Sequence, residues 1–292
     1  AIIMGKLQMA EFAIGSTSEN PHYGPARNPW DTDHVTGGSS GGSASAVASG
    51  QCMAALGTDT GGSVRIPASL CGIVGLKPTF GSVSKYGVFP AAWSLDTVGP
   101  MTRTVRDAAT ILNAITGHDP RDPSSIPRPH QNFAADLGQD LLGLRIGLPQ
   151  EHFFDVVDKE IERSIMNAVK MLEQLGASIE KVSIPLLEHS EHIGSISSIE
   201  AAEVHSDNLR NKAGDFDHEV RNRLFMGAMH SAVQYIGAQR VRAAFNRQVR
   251  QTMKHVDILM TPTTAVTAPM IGQKVVTVGD TTETCLPFLA RL

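Results

Sequence analysis

The 292-residue sequence contains only three cysteines, Cys52, Cys71 and Cys285, and lacks the long apolar runs of a membrane protein. An odd number of cysteines at these spacings matches neither a disulfide framework nor a zinc cluster. No apolar run is long enough to span a bilayer, and the N-terminus has neither the charged flank nor the cleavage site of a signal peptide. These absences predict a soluble cytoplasmic protein with reduced thiols and no membrane partner.

The sequence also has little net charge, with a formal value of -4 at pH 7. It therefore has no broad basic field to attract a phosphate backbone, and direct binding of nucleic acid is not expected. Hydrophobic residues make up 41% of the chain and charged residues 18%, which is typical of a globular protein with a packed interior. Because we find no internal repeat and no charged tail, we expect one domain over residues 1–292.

Apolar periodicity in the second half predicts alternating helices and strands, which is typical of an α/β fold. Residues 1–100 are instead rich in Gly, Ser, Ala and Pro, which favours tight turns. The expected helices are 43–49, a stretch from Val105 that Gly117 ends, one from an Asp158 N-cap to Gly176, and 230–254; the expected strands are 144–148, 178–184 and 257–260.

Two Gly-Gly-Ser turns, ending at Ser39 and Ser63, are the chemically informative part of the sequence. Paired glycines let a hydroxyl and several N–H groups face one point, a geometry that suits acyl transfer. Either turn alone is typical of a flexible loop. Neither turn continues into the Gly-Lys-Ser or Gly-Lys-Thr of a phosphate-binding loop, and Ser63 lacks the Gly-x-Ser-x-Gly elbow of esterases. The phosphate-binding interpretation is therefore weak and a Ser-His-Asp hydrolase is disfavoured, while the two turns together are harder to explain as flexible loops.

Together with the run from Cys71 to Thr79, the two turns closely resemble the amidase signature family. The similarity covers nearly the whole chain and is strongest before residue 122. Further matching stretches are 5–12, 28–31, 96–106 and 257–263. The resemblance implies the amidase-signature fold of the α/β class, with a central mixed β-sheet covered by helices on both faces.

The resemblance also implies a Ser-Ser-Lys mechanism without a metal or other cofactor. Ser63 would attack the amide carbonyl, Ser39 in a cis peptide would relay the proton, and a buried neutral lysine would be the base. Serine needs such a base because it is a weak nucleophile at its free pKa. The oxyanion would be held by backbone N–H groups of Thr60, Gly61, Gly62 and Ser63 itself.

The family lysine lies well upstream of the first serine turn and matches no position in this sequence. Lys6 and Lys77 belong to other parts of the family pattern. Residues 285–292 resemble the start of a further family stretch, so we expect a domain truncated at both ends. The catalytic lysine is then expected outside residues 1–292, and the chain on its own is expected to be inactive.

Three functions are compatible with these residues. The first is an amidase that releases ammonia or an amine from a small-molecule amide. The second is the glutaminase A-subunit of the Asp/Glu-tRNA amidotransferase, acting with partner subunits; the first hundred residues look most like that protein. The segment 200–227 lacks its Tyr-Asp-Gly stretch, which favours a free-standing amidase, as a homodimer or otherwise. The third is a non-catalytic fragment or binding protein of the same fold.

Several other side chains lie near these motifs or carry reactive groups. Asp59 and Arg65 flank the second turn, where an ion pair and two solvated charges are equally compatible with the sequence. Arg242 has three other arginines near it, which favours a solvated helix face over a substrate ligand. Cys71 has no neighbouring histidine and is interpreted as a small core residue. His189 and His192 do not have the spacing of a zinc protease, so we expect them to be surface histidines.

Overall fold

The computed structural model describes residues 2–129 and 131–292. The α-helices are α1 (Gly41–Ala48), α2 (Arg65–Leu70), α3 (Val105–Ile115), α4 (Lys159–Gln174), α5 (Ser190–Val204), α6 (Ser206–Asn211), α7 (His218–Ala228), α8 (Ala232–Thr252) and α9 (Cys285–Leu289). The strands are β1 (Glu19–Asn20), β2 (Gly24–Pro25), β3 (Arg27–Asn28), β4 (Asp31–Val35), β5 (Ala54–Asp59), β6 (Val74–Gly75), β7 (Thr97–Thr102), β8 (Arg145–Pro149), β9 (Ser178–Val182), β10 (Ile258–Leu259), β11 (Val275–Val278) and β12 (Thr281–Thr284).

Two three-stranded sheets of opposite kind organise these strands. The order β5-β7-β6 is antiparallel, whereas β10-β8-β9 is parallel. The pairs β1-β2, β3-β4 and β11-β12 form separate two-stranded ladders. Among the described residues, parallel and antiparallel strands therefore lie in two separate sheets, whereas the resemblance implies one central mixed sheet. The combination of helices with parallel and antiparallel strands confirms the α/β class.

The helices predicted from periodicity are present, and their caps explain where they begin. The Thr104 hydroxyl accepts a hydrogen bond from the Asp107 N–H at the start of α3. The Asp158 carboxylate accepts one from the Glu160 N–H at the start of α4. Such caps satisfy N–H groups that have no partner within the helix. The predicted strands are present as β8, β9 and β10, the last two shorter than expected.

The slim helix α1 packs into a core that lies behind both serine turns. Ala44 of α1 clusters with Val64, Cys71 and Met101, all of them completely buried. Val64 directly follows Ser63, so this core also supports the second turn. Burial raises the pKa of the Cys71 thiol to about 12, which keeps it protonated and supports its interpretation as a core residue.

None of the helices in the described ranges is both long and apolar enough to cross a membrane.

Candidate active site

The second serine turn connects the end of β5 to the start of α2 and is closed by a buried carboxylate. Asp59, the last residue of β5, is 0% exposed. Its Oδ1 accepts a hydrogen bond from the Gly62 N–H at 2.8 Å, and its Oδ2 accepts one from the Val64 N–H at 3.2 Å. The carboxylate thus takes up the N–H groups on both sides of Ser63 and fixes the path of the chain through the nucleophile.

Arg65 neutralises this carboxylate in a bidentate ion pair. Its Nε donates to Asp59 Oδ2 and its Nη2 to Oδ1, each at 2.9 Å. Burial alone would raise the pKa of Asp59, but the hydrogen bonds and charge of Arg65 outweigh it, and the pKa lies below its ordinary value. Of the two alternatives that the sequence left open, the structure shows the ion pair. A paired arrangement of this kind adds geometric specificity as well as energy.

Gly62 gives the turn its shape. Its φ is +119°, and a Cβ at this position would meet the Ile66 side chain at 2.7 Å. Non-glycine residues rarely adopt this backbone conformation. Gly61, beside it, has open space where a Cβ would lie and does not have a left-handed φ. The two glycines of the turn therefore differ in what they tolerate.

We expect Gly62→Ala to destabilise the protein by about 1–3 kcal/mol, because the new side chain combines a strained φ with a contact to Ile66. Gly61→Ala is the matched control and should leave the free energy of unfolding within about 0.5 kcal/mol of wild type. Urea unfolding of both variants measures the difference. Equal losses for the two variants would contradict the assigned role of Gly62.

The first serine turn places Ser39 in a completely buried position. The peptide bond from Gly38 to Ser39 is cis, as the resemblance implies. The Ser39 carbonyl accepts hydrogen bonds from the Ala10 N–H and the Ser18 hydroxyl, each at 3.0 Å. A side chain on Gly38 would collide with the Ser18 backbone at 2.8 Å, so only glycine fits here. The turn is thereby held against the segment around residues 10–18.

The Ser39 hydroxyl is buried and has no hydrogen-bond partner among the described residues. Buried hydroxyls are nearly always paired, and an unpaired one costs about 1–3 kcal/mol. Neither Lys6 nor Lys77 donates a hydrogen bond to Ser39 or Ser63 within the described ranges. Lys77 is half-buried, and this burial lowers the pKa of its ammonium.

The structure brings the two turns together through the backbone. The Ser40 N–H donates to the Ser63 carbonyl at 3.1 Å, which places the residue after Ser39 directly against the nucleophile position. Ser63 itself is partly exposed, whereas Ser39 is completely buried. The nucleophile position is thus open to solvent, and the first serine turn beside it lies in the interior.

The oxyanion turn implied by the sequence differs from expectation at one N–H group. The Gly62 N–H is already bound to Asp59, so it is occupied in this structure. The N–H groups of Thr60, Gly61 and Ser63 have no acceptor among the residues that the structure describes. Three of the four expected donors therefore have no acceptor in the described ranges, while Gly62 supplies the bend of the turn.

Thr60 is anchored by a carboxylate that the sequence analysis did not single out. Its hydroxyl donates a short hydrogen bond to Oδ1 of Asp96, which is buried. The same carboxylate accepts hydrogen bonds from the N–H groups of Ala91 and Ala92. The segment 91–96 and the oxyanion turn are consequently joined at Asp96. Asp96 directly precedes β7, a strand that the sequence patterns did not predict, so no local signal indicated this contact.

The interpretation of Arg242 as part of a solvated helix face is wrong. The guanidinium is partly buried and donates to the Ser94 hydroxyl at 3.1 Å and to the Ser94 carbonyl at 3.0 Å. Its partner is 148 residues away in sequence, so the local pattern of arginines gave no indication of it. Arg240 and Arg247 are exposed, in agreement with that interpretation.

His189 and His192 both lie exposed around the start of α5. Within residues 2–129 and 131–292, no group of three or more His, Cys, Asp or Glu side chains is arranged to hold a metal ion.

Comparison with known proteins agrees with this geometry. A family model described as Amidase matches residues 1–290. The chain is 42% identical to the glutamyl-tRNA(Gln) amidotransferase A-subunit of Carboxydothermus hydrogenoformans, over 94% of this chain and 62% of that protein. The chain belongs to the Amidase family, and it spans less than two thirds of the length of this relative.

Solved structures of similar proteins extend this result to the fold. A structure from a vestigial protein complex related to the origins of an s-triazine catabolic enzyme superposes with a TM-score of 0.95 at 39% identity, over 99% of this chain and 62% of that one. The A-subunit of the Thermotoga maritima glutamyl-tRNA(Gln) amidotransferase gives 0.80 at 41% identity, over 93% and 60%. A bacterial aryl acylamidase of the amidase signature family gives 0.82 at 29%, over 96% and 60%. The amidase-signature fold is thereby confirmed.

Proposed function

We propose that the whole protein hydrolyses amide bonds, with Ser63 as the nucleophile that forms an acyl-enzyme. The observation that carries this proposal is the turn closed by Asp59, which fixes the backbone on both sides of Ser63 and leaves the N–H groups of Thr60, Gly61 and Ser63 without an acceptor among the described residues. Preorganised N–H groups at the point where negative charge develops are a large source of rate enhancement in acyl transfer. Membership of the Amidase family supports the same reaction.

In the proposed reaction, Ser63 Oγ forms a bond to the amide carbon while its proton passes to Ser39 Oγ. Ser39 in turn gives its own proton to a base. The carbonyl oxygen becomes an oxyanion held by the N–H groups of Thr60, Gly61 and Ser63. The C–N bond then breaks, the amine or ammonia leaves with a returned proton, and water hydrolyses the ester.

The unpaired hydroxyl of Ser39 supports its role as the relay. A serine hydroxyl both donates and accepts hydrogen bonds, so it suits a position between a nucleophile and a base. The proposed base is the neutral lysine of the family pattern, whose position matches none of the lysines in residues 1–292. We accordingly predict that residues 1–292 alone remain inactive.

A second candidate is the glutaminase component of a tRNA amidotransferase, in which ammonia would pass to partner subunits. The observation that favours it is the 40–42% identity to several bacterial glutamyl-tRNA(Gln) amidotransferase A-subunits. For a free-standing amidase, the expected substrate is a small-molecule amide and no partner is needed. Both candidates use the same Ser63 chemistry.

Ammonia release by the complete gene product separates these candidates. An amidase should release ammonia or an amine from simple alkyl and aryl amides without any added protein. A glutaminase component should act on glutamine and should depend on a partner. No release from any amide, with or without partner subunits, would refute the proposed function and favour a non-catalytic protein of this fold.

A further inference from the structure

A third buried carboxylate, after Asp59 and Asp96, is linked to the oxyanion turn through segment 91–96 and lies on a helix remote from that turn in sequence. Glu200 of α5 is only 1% exposed. Its Oε1 accepts hydrogen bonds from the Ser94 hydroxyl at 2.7 Å and from the Tyr235 hydroxyl of α8 at 2.9 Å. Its Oε2 accepts one from the Ser94 N–H at 3.1 Å. Charged groups of this kind are rarely buried without such partners.

Arg242 of α8 also binds Ser94. It donates to the hydroxyl and to the carbonyl of Ser94, whose N–H and hydroxyl proton are directed to Glu200. All three polar groups of Ser94 are therefore bound by two helices. Arg242 and Glu200 thus hold the same serine with groups of opposite charge.

Ser94 is two residues before Asp96, and Asp96 binds the Thr60 hydroxyl of the oxyanion turn. The segment 91–96 is thus fastened at two nearby points, to α5 and α8 at Ser94 and to the turn at Asp96. Two residues of chain span at most about 7 Å, so a displacement of Ser94 is transmitted to Asp96. Asp96 additionally fixes the Ala91 and Ala92 N–H groups, which stiffens the segment between them.

We propose that Glu200 is a positioning residue for the oxyanion turn. Through Ser94 it sets the place of Asp96, and through Asp96 it sets the place of Thr60, whose N–H is one of the three free donors. Glu200 touches neither the substrate nor Ser63. The inference rests on the proposed function, because it assigns Glu200 a role in the same acyl transfer.

Glu200→Ala in the complete gene product should lower kcat for an amide by about 10–10²-fold with little change in KM, since misplacement of a catalytic donor by about 1 Å is enough for such a loss. Phosphonylation of Ser63 by a fluorophosphonate should slow by a similar factor, because the phosphonyl oxygen uses the same N–H groups. Glu203→Ala is the matched control, an exposed glutamate on the same helix that should retain wild-type rates.

A loss of stability alone has to be distinguished from misplacement. Ile196, also on α5 and completely buried, offers a variant, Ile196→Ala, that weakens the packing of this helix without removing a bond to Ser94. Rates are compared at a temperature well below the unfolding midpoint of every variant. Glu200→Gln keeps the size of the side chain and one acceptor oxygen, so it should recover part of the labelling rate. If Glu200→Ala does not fold, Glu200→Gln carries the test, with an expected loss of about 3–10-fold relative to wild type.

The outcomes are distinguishable. Equal labelling rates and equal kcat for the Glu200 and Ile196 variants would overturn the inference and leave Glu200 a structural residue. The same holds if a folded Glu200→Gln labels at the wild-type rate. A wild-type protein that neither turns over amides nor becomes labelled would instead refute the proposed function, and the inference with it.

Discussion

Ser63→Ala is expected to lower kcat/KM for an amide by at least about 10⁴-fold in the complete gene product. The substitution removes the oxygen that bonds to the acyl group, and no other serine lies on the turn closed by Asp59. Loss of a nucleophile in serine hydrolases costs more than most single changes, since the remaining groups act together with it. The measurement is the steady-state rate of amide turnover.

Ser69→Ala is the control for this experiment. Ser69 lies on α2 and is exposed, and among the described residues its hydroxyl forms a hydrogen bond only with the Thr264 hydroxyl, at 3.3 Å, so the variant should keep the wild-type rate. Retention of more than about a tenth of the activity by Ser63→Ala would mean that another group attacks the amide.

Asp59→Asn is expected to cost about 3 kcal/mol of folding stability. The change leaves Arg65 without its counter-charge and removes the acceptor of at least one N–H group in the turn. Breaking such a pair on one side is more costly than its net contribution, because the remaining charge and donors are left unpaired. Urea unfolding provides the measurement, and labelling of Ser63 should slow in the same variant.

Asp257→Asn tests whether burial of the ion pair is the reason for the large loss of stability expected in Asp59→Asn. Asp257 and Arg145 form an ion pair of similar geometry, but their side chains are 40% and 42% exposed. Loss of an exposed pair costs about 1 kcal/mol or less. If the Asp59 and Asp257 variants are destabilised equally, Asp59 does not close the turn in the way that its hydrogen bonds indicate.

The difference in folding stability between wild type and Asp59→Asn should depend on pH in one direction only. Burial opposes ionisation of Asp59, but Arg65 outweighs it and holds the pKa below the ordinary value of 3.8. The stabilisation by the ionised carboxylate is therefore complete above that ordinary value and is lost as pH falls through the lower folded-state pKa. The gap in stability between wild type and Asp59→Asn should accordingly be constant near neutral pH and should narrow in acid.

Much of the second half of the fold follows from local sequence patterns. Helices α3, α4 and α8 have clear starting signals, such as the Asp158 cap, and apolar residues at helical spacing. Helix α5 was not predicted, because its buried face combines Ile196, two alanines and the carboxylate of Glu200 in place of an apolar stripe. Strand β7 was also missed, since its glycine and proline are unusual in a fully buried strand.

The sequence predicted the residues of the candidate site, but it did not predict the tertiary contacts that hold them in place. Both serine turns and the cis peptide were anticipated, because glycine pairs and the family resemblance are local signals. The occupied N–H of Gly62 and the contact of Arg242 with Ser94 were not anticipated. These depend on which residues tertiary folding brings together, and a single sequence contains no direct record of such contacts.

The assignment of Ser63 as the nucleophile is tested most directly by the location of a covalent adduct. The complete gene product is treated with a fluorophosphonate, digested, and its peptides are mapped by mass spectrometry. We predict one labelled residue, Ser63, with labelling absent in Ser63→Ala and retained in Ser69→Ala. An adduct on Ser39, or on any residue outside the turn that Asp59 closes, would contradict the assignment.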